Sequence, residues 1–364
     1  MKNLYCGVWS FQNPTSGICA FALRGGKWER LGVYGTEIPA QSILAIGGDT
    51  LLAVSERRDG GAVVRYRLGE NGEPSVIGKL DFDTPLMSYV SLSPDGRYAF
   101  TSSMGSPRVK MIRLEDDGSM RLADEWLLTG HSVTDRQRSA KSHSVQVSPD
   151  GRLLAVANFG ADELELFAID GERERLRLLQ SVAVDFGRQP RHMVFHPDGK
   201  HLYLLTESGN RVYVYRLAND ALTELAAYST LDPDKRAEGM AADIAVSPDG
   251  AFLYATNRSQ NNIAVWRVLP GGLLDSVGWY DCGGEGPRGI AVSPDGGTLF
   301  CANNDSGAVA VLPLNPATGA PGRPVRTPWR CPPRPACACA ESVRIILHQT
   351  ERKIDLWLQQ QENE

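Results

Sequence analysis

The sequence predicts an all-β protein, a seven-bladed β-propeller with four-stranded antiparallel blades. The main observation is a phrase of the type Ser-Pro-Asp-Gly that recurs at 93–96, 148–151, 196–199, 247–250 and 293–296, with a histidine in place of serine at 196. Its prolines are 55, 48, 51 and 46 residues apart, a spacing typical of propeller blades. A second observation is that short apolar, strand-like runs precede and follow each phrase.

Each phrase is predicted to be a tight turn. Proline presets one φ angle, aspartate accepts hydrogen bonds from its own backbone, and glycine adopts a positive φ without strain. In the last repeat, for example, the turn separates the runs 289–292 and 298–301. The turn therefore joins the innermost strand of a blade to the second strand.

The segment after each turn consists of a strand, a polar break and another strand, most clearly at 252–256 and 263–268. The same arrangement occurs at 97–114, 152–169, 200–217 and 297–314. It also occurs at 51–68, after a degenerate turn at 47–49, and at the N-terminus in residues 4–7 and 17–21. A less regular run follows most pairs and supplies the outermost strand. Seven such units predict seven blades around a channel.

The first unit has no innermost strand before Leu4, and an open sheet edge promotes aggregation. We expect a strand from the C-terminal part to complete this blade, with residues 335–339 as the candidate. The propeller would then span residues 1–339. Residues 340–364 would form a tail, helical or disordered, that is dispensable for activity.

Composition narrows the possible functions. The net charge is −5 with both signs interspersed, which argues against a nucleic-acid partner. The chain lacks a run of about 18 apolar residues and opens without a signal-like apolar region, so we expect no membrane partner and a cytoplasmic location. Cys331, Cys337 and Cys339 lack the spacing of zinc ligands, and no metal or other cofactor is expected.

The turns also locate a candidate site. The start of each innermost strand and the end of the second strand lie together, at the end of the blade opposite the turn. Counting six residues back and ten forward from each proline places five ionisable residues at one channel mouth: His143, Arg191, Glu207, Arg258 and Arg288. Glu56 occupies the corresponding position of the degenerate blade. Core packing does not require ionisable residues at corresponding positions of several blades. This register predicts a binding site for a small ligand.

Four stretches carry a family resemblance: 190–197 followed by Glu207, 241–244 leading to Thr256-Asn257-Arg258, 142–145 after Arg136-Gln137, and 286–289. Together they resemble the seven-bladed propeller lactonase family, which includes propeller-type 6-phosphogluconolactonases and is similar to the fungal carboxy-muconate lactonising enzyme. The resemblance covers about residues 1–325 and adds His192 and Asp243 to the substrate-binding residues, with Arg288 and Glu56. This chain differs from the family pattern at Lys141, where the family often has a second histidine.

Lactone hydrolysis needs an activated water, stabilisation of an oxyanion and a proton for the leaving alkoxide. Glu207 or His143 could supply the base, since surroundings can tune either group toward neutral pH. Arg191 and Arg258 could stabilise the oxyanion and bind an anionic substrate group. The resemblance implies a small anionic lactone as the partner, 6-phospho-D-glucono-1,5-lactone of the pentose phosphate pathway.

Two alternatives stay open. The substrate could be another acidic lactone, of the muconate type or from another sugar. The chain could also be a non-enzymatic propeller that presents its rim to a protein, because fold alone does not determine function. A charged, concave mouth favours a small anion over a protein partner, whose contacts are usually aromatic and apolar.

Overall fold

The computed structural model describes residues 2–8, 17–35, 41–47, 49–56, 59–235, 239–326 and 345–349. These residues form seven four-stranded antiparallel sheets arranged as the blades of one propeller, which confirms the predicted fold class. Among the described segments, no helix is long and apolar enough to cross a membrane.

The strands follow the chain blade by blade. Blades 1 to 3 contain β1 (Lys2–Val8), β2 (Gly17–Arg24) and β3 (Lys27–Tyr34); β4 (Gln41–Gly47), β5 (Thr50–Glu56), β6 (Gly61–Leu68) and β7 (Pro74–Phe82); and β8 (Met87–Leu92), β9 (Tyr98–Ser103), β10 (Arg108–Leu114) and β11 (Met120–Leu127). Blades 4 and 5 contain β12 (Ser142–Val147), β13 (Leu153–Asn158), β14 (Glu163–Asp170) and β15 (Arg175–Ala183); and β16 (Pro190–Phe195), β17 (His201–Thr206), β18 (Arg211–Ala218) and β19 (Ala221–Ser229). Blades 6 and 7 contain β20 (Ala241–Val246), β21 (Phe252–Asn257), β22 (Asn262–Val268) and β23 (Leu274–Asp281); and β24 (Pro287–Val292), β25 (Thr298–Asn303), β26 (Ala308–Pro313) and β27 (Val325–Arg326). The last strand, β28 (Ile345–Gln349), belongs to blade 1, and a 3₁₀ helix, η1 (Asp135–Gln137), lies between β11 and β12.

The innermost strands contact one another in a closed ring, in the order β28, β4, β8, β12, β16, β20 and β24. The second strands are the most deeply buried part of the fold. All six residues of β9, β13, β17 and β21 are buried, because each of these strands lies between two strands of its own blade and between two neighbouring blades. This double burial explains why apolar residues predominate in these strands.

The recurring phrase forms the predicted turn. Ser93 Oγ donates to Asp95 Oδ1 at 2.6 Å and accepts the Tyr98 backbone N–H at 2.9 Å, while Gly96 has a φ of +70°. Burial raises the pKa of Asp95, but hydrogen bonds from Ser93 and Arg97 outweigh it and hold that pKa at about 2. The same serine–aspartate bond recurs in the turns at 148–151, 247–250 and 293–296.

A β-bulge interrupts each described innermost strand of blades 3 to 7 at the end opposite the turn. In four of these strands one extra residue forms the bulge: Ser88 in β8, His143 in β12, Arg191 in β16 and Arg288 in β24. In β20, two residues, Ala242 and Asp243, lie opposite Thr256. These are the positions six residues before the turn proline. A bulge redirects a side chain out of the regular alternation, so the register that the sequence indicates is realised as a ring of bulges.

The C-terminal part closes the propeller as expected, but through a different strand. β1 pairs with β28 in the register Leu4↔Leu347 and Cys6↔Ile345. The prediction that 335–339 supplies this strand is therefore wrong, and 335–339 itself lies outside the described residues. The propeller also does not end at residue 339, since β28 falls within the predicted tail. The Ile-Ile-Leu run of β28 suits a strand better than alternating alanine and cysteine.

We expect the propeller to depend on β28. Ending the chain after Arg344 would remove β28 and leave β1 as an open edge, so this variant should aggregate or lose its cooperative thermal unfolding transition. Ending the chain after Gln349 keeps the strand and should leave the transition unchanged. Size-exclusion chromatography and thermal unfolding of the two truncations provide the test. Identical behaviour of both would show that β28 contributes nothing to blade 1.

Candidate active site

The bulge of β16 places Arg191 inside the propeller, with only 1% of the residue exposed. Its Nε donates to Glu207 Oε2 at 2.8 Å. Its Nη1 donates to the carbonyl oxygen of Ala242 in the next blade. Arg191 therefore links the innermost strands of blades 5 and 6 and holds Glu207 beside them.

Glu207 follows the end of β17 and is buried among three arginines. Its Oε2 also lies 3.2 Å from Arg258 Nη2, and its Oε1 accepts a hydrogen bond from Arg136 Nη1 at 2.6 Å. Burial by itself would raise the pKa of Glu207, but the charges of Arg258, Arg191 and Arg136 outweigh burial and hold this pKa far below its usual range. The carboxylate therefore stays ionised at neutral pH and is a poor proton acceptor.

Arg258 follows β21 and is fixed by backbone acceptors. Its Nε and Nη2 each donate at 3.2 Å, to the carbonyl oxygens of Met240 and Ala241. Burial lowers the pKa of Arg258 to about 10, although the Glu207 carboxylate raises it in part. The guanidinium is thus still charged at neutral pH and held at a defined place.

His143, the bulge residue of β12, is almost completely buried. Burial lowers its pKa well below the usual histidine value, Arg191 and His192 lower it further, and Glu207 opposes them. Its Nδ1 is buried and has no hydrogen-bond partner among the described residues. The ring centroid lies 5.7 Å from that of Phe159 and 5.1 Å from that of His192. His143 is therefore a neutral imidazole with an uncommitted nitrogen.

His192 and Asp243 form a hydrogen-bonded pair across blades 5 and 6. His192 Nδ1 lies 2.7 Å from Asp243 Oδ1. Asp243 also accepts the backbone N–H groups of Ile244, at 3.0 Å, and Ile290, at 2.9 Å. Since its oxygens bind these groups, Asp243 lies behind His192 and orients its ring.

The remaining predicted residues occupy the expected register. Arg288 is the bulge residue of β24 and is partly exposed. Glu56 ends β5, and its side chain lies outside the described residues. The structure thus brings six predicted residues into one cluster of contacts. Glu207 pairs with Arg191 and Arg258. His192 contacts Arg191, the His143 ring and Asp243.

Arg136 also belongs to this cluster, although it is outside the register counted from the turn prolines. It lies on η1 in the loop between two blades, where no count from a turn proline reaches it. Its guanidinium lies over the Phe159 ring, 4.9 Å from the centroid, and reaches Glu207 in the next blade. In the sequence, Arg136 stands out only because Arg136-Gln137 precedes the strand of His143 in one of the stretches that carry the family resemblance. That stretch indicates no role for Arg136.

The cluster is suited to an anion. Among its described side chains, three arginines, Arg136, Arg191 and Arg258, surround a single carboxylate. Within the part of the chain that the structure describes, the three side chains with metal-ligand spacing are His196, Asp198 and His201, in the turn at the opposite end of blade 5. Their hydrogen bonds, such as His201 Nδ1 to Asp198 Oδ2 at 2.9 Å, hold that turn together.

Comparison with known proteins identifies the family. The family described as "Lactonase, 7-bladed beta-propeller" matches residues 4–334. An uncharacterized protein of Lactococcus lactis subsp. cremoris is 30% identical over 240 residues, which cover 61% of this chain and 70% of the relative. The chain belongs to the seven-bladed β-propeller lactonase family, as the sequence resemblance implied.

Two solved structures share both fold and sequence similarity with this chain. The periplasmic gluconolactonase of Pseudomonas aeruginosa superposes with a TM-score of 0.83 at 26% identity, covering 95% of this chain and 99% of that one. A candidate 6-phosphogluconolactonase of Bacteroides uniformis gives a TM-score of 0.81, also at 26% identity, over 95% and 99% of the two chains. Both structures share the fold of this chain over nearly its whole length.

Replacing the central carboxylate should destabilise the fold. Glu207→Gln leaves buried arginine charge without its counter-ion, and we expect a loss of about 3–5 kcal/mol in the free energy of unfolding. Urea denaturation measures this loss. Glu174→Gln is the matched control, because Glu174 pairs with Arg121 on the surface, and its loss should destabilise the fold far less than Glu207→Gln. Equal losses in the two variants would contradict a buried ion-pair cluster.

Proposed function

We propose that this protein hydrolyses 6-phospho-D-glucono-1,5-lactone to 6-phosphogluconate. The observation that carries the proposal is the neutral, buried imidazole of His143, with an uncommitted Nδ1, beside an arginine cluster that holds excess positive charge. A nucleophilic water and an anionic lactone need these two features together.

We assign the role of general base to His143. The alternative base, Glu207, is ion-paired to three arginines, and its pKa lies too far below neutrality for it to accept a proton. The imidazole of His143 accepts a proton from a water molecule as the water oxygen attacks the lactone carbonyl carbon. In this mechanism Glu207 holds the arginines in place.

We assign to Arg191 and Arg258 the stabilisation of the oxyanion that forms at the carbonyl. Both are fixed before substrate binds, by the carbonyl oxygens of Ala242, Met240 and Ala241. Fixed donors need no reorganisation during the reaction. The tetrahedral intermediate then collapses, the bond between the carbonyl carbon and the ring oxygen breaks, and the imidazolium of His143 returns its proton to the leaving alkoxide. His192, oriented by Asp243, packs against the His143 ring.

If His143 is the general base, the pH profile of kcat/KM should have an unusual acid limb. Because the pKa of His143 is lowered, its imidazole remains neutral as the pH falls through the usual histidine range. After subtraction of spontaneous hydrolysis, kcat/KM should therefore be level from pH 8 to about 6.5 and fall only at lower pH, where His143 becomes protonated. An acid limb centred near the ordinary histidine pKa would contradict the assignment.

Substitution of His143 tests the chemistry directly. His143→Gln removes the base and should lower kcat by about 10²–10⁴-fold. His131→Gln is the matched control, since His131 is exposed on the loop that precedes η1. Proton release from a panel of lactones measures both variants. Unchanged kcat in His143→Gln would exclude this mechanism.

The panel also separates the substrates. A carboxylate on the lactone would satisfy the same excess charge, so a muconate-type acidic lactone is the second candidate, and the panel should contain phosphorylated, carboxylated and neutral lactones. A wild-type protein that accelerates none of them would favour a non-enzymatic role. For the phosphorylated sugar substrate we propose a cytoplasmic location, which cell fractionation tests.

A further inference from the structure

The three arginines around Glu207 differ in exposure, since Arg191 and Arg258 are largely buried and Arg136 is not. Arg258 uses Nε and Nη2 on backbone carbonyls and on Glu207, and Arg191 uses Nε and Nη1 on Glu207 and Ala242. Arg136 uses Nη1 alone, toward Glu207 at 2.6 Å and Gln189 at 3.5 Å. Within the described residues, its Nε and Nη2 have no hydrogen-bond partner, and 45% of its side chain is exposed. Arg136 therefore presents open donors on the solvent side of the cluster.

Arg136 is nevertheless held in place. Gln137 Nε2 donates to the carbonyl oxygen of Phe159 at 2.8 Å, which anchors η1 to blade 4. The Lys141 ammonium donates to the carbonyl oxygen of Arg136 at 2.6 Å, and the guanidinium lies over the Phe159 ring. An arginine positioned by its surroundings before ligand binds loses less conformational freedom on binding.

The charge of the cluster indicates the ligand group. Among the described side chains that bind Glu207, three guanidinium groups face one carboxylate, so the cluster favours an anionic ligand group. A phosphate monoester carries up to two negative charges at neutral pH and accepts paired hydrogen bonds from a guanidinium fork. Arg136 is the most exposed of the three arginines, which suits the end of a substrate that stays nearest to solvent.

We propose that Arg136 is the specificity-determining residue of this site and that its Nε and Nη2 bind the phosphate group of the substrate. The inference rests on the proposed lactone hydrolysis and assigns the anionic substrate group to Arg136, leaving Arg191 and Arg258 for the carbonyl. Glu207 keeps its bond to Nη1 and so fixes the direction of the fork.

The test compares two substrates, 6-phospho-D-glucono-1,5-lactone and unphosphorylated D-glucono-1,5-lactone. Arg136→Ala should lower kcat/KM for the phosphorylated lactone by about ten- to hundredfold and change that for the neutral lactone less than about threefold. Arg136→Lys should fall between, because lysine keeps the charge and loses the planar fork. A purely structural role, acting through Glu207, would lower both values equally and would overturn the inference.

Arg138→Ala is the matched control for charge. Arg138 is adjacent to η1 and pairs with Asp135, and 79% of its side chain is exposed. The substitution Arg138→Ala removes the same charge from the same loop without touching the cluster. The ratio of kcat/KM for the phosphorylated lactone to that for the neutral lactone should therefore stay within about twofold of wild type. A shift of that ratio equal to the one in Arg136→Ala would show a general field effect and overturn the inference.

A binding experiment separates this inference from the proposed reaction. Calorimetric titration with 6-phosphogluconate and with gluconate requires no turnover. If wild type hydrolyses no lactone, the proposed function fails. Weaker binding of 6-phosphogluconate to Arg136→Ala, with binding to Arg138→Ala unchanged, would still support phosphate recognition by Arg136. Equal binding to all three proteins, or no binding to wild type, would overturn it.

Discussion

The pairing of β1 with β28 closes the ring of blades, and the channel exists because the ring is closed. Each innermost strand then lies between two others, and the start of each strand faces the same mouth. The contacts of the site cross blade boundaries: Arg191 donates to Ala242, and His192 pairs with Asp243. A change in the angle between two blades would separate these partners. Closure of the sheet ring is therefore the condition on which the site geometry depends.

The bulges convert this architecture into a site. In a regular strand, alternate side chains point into the packed space between blades, where a charge would be strongly destabilising. At the bulges the alternation is broken, and His143 and Arg191 leave the apolar layers. The neighbouring strand residues, such as Val145 and Met193, remain buried in the core. The same strand can thus contribute to stability along most of its length and to function at one end.

The cluster around Glu207 has an electrostatic cost that the fold tolerates. Burial of Glu207 and Arg191 removes both from water, and their mutual hydrogen bonds, with those to backbone carbonyls, offset the desolvation. The arrangement does not neutralise itself, since positive charge exceeds negative charge within it. A small acidic ligand would complete the balance. The low pKa of Glu207 and the lowered pKa of His143 follow from the same cluster, because both groups lie among arginines in a buried environment.

The sequence by itself determined the seven-bladed fold and the register of four site residues, His143, Arg191, Glu207 and Arg258. It could do so because turn chemistry is local, and because antiparallel geometry fixes which residues lie opposite a turn. Only the tertiary structure decided that β28 closes the ring, since the partner of β1 lies more than three hundred residues away along the chain and no local pattern encodes it. The role of Arg136 also emerged only in three dimensions, because it lies on an irregular loop. The choice between Glu207 and His143 as base depended on burial and neighbouring charges, which are properties of the folded environment and not of either residue alone.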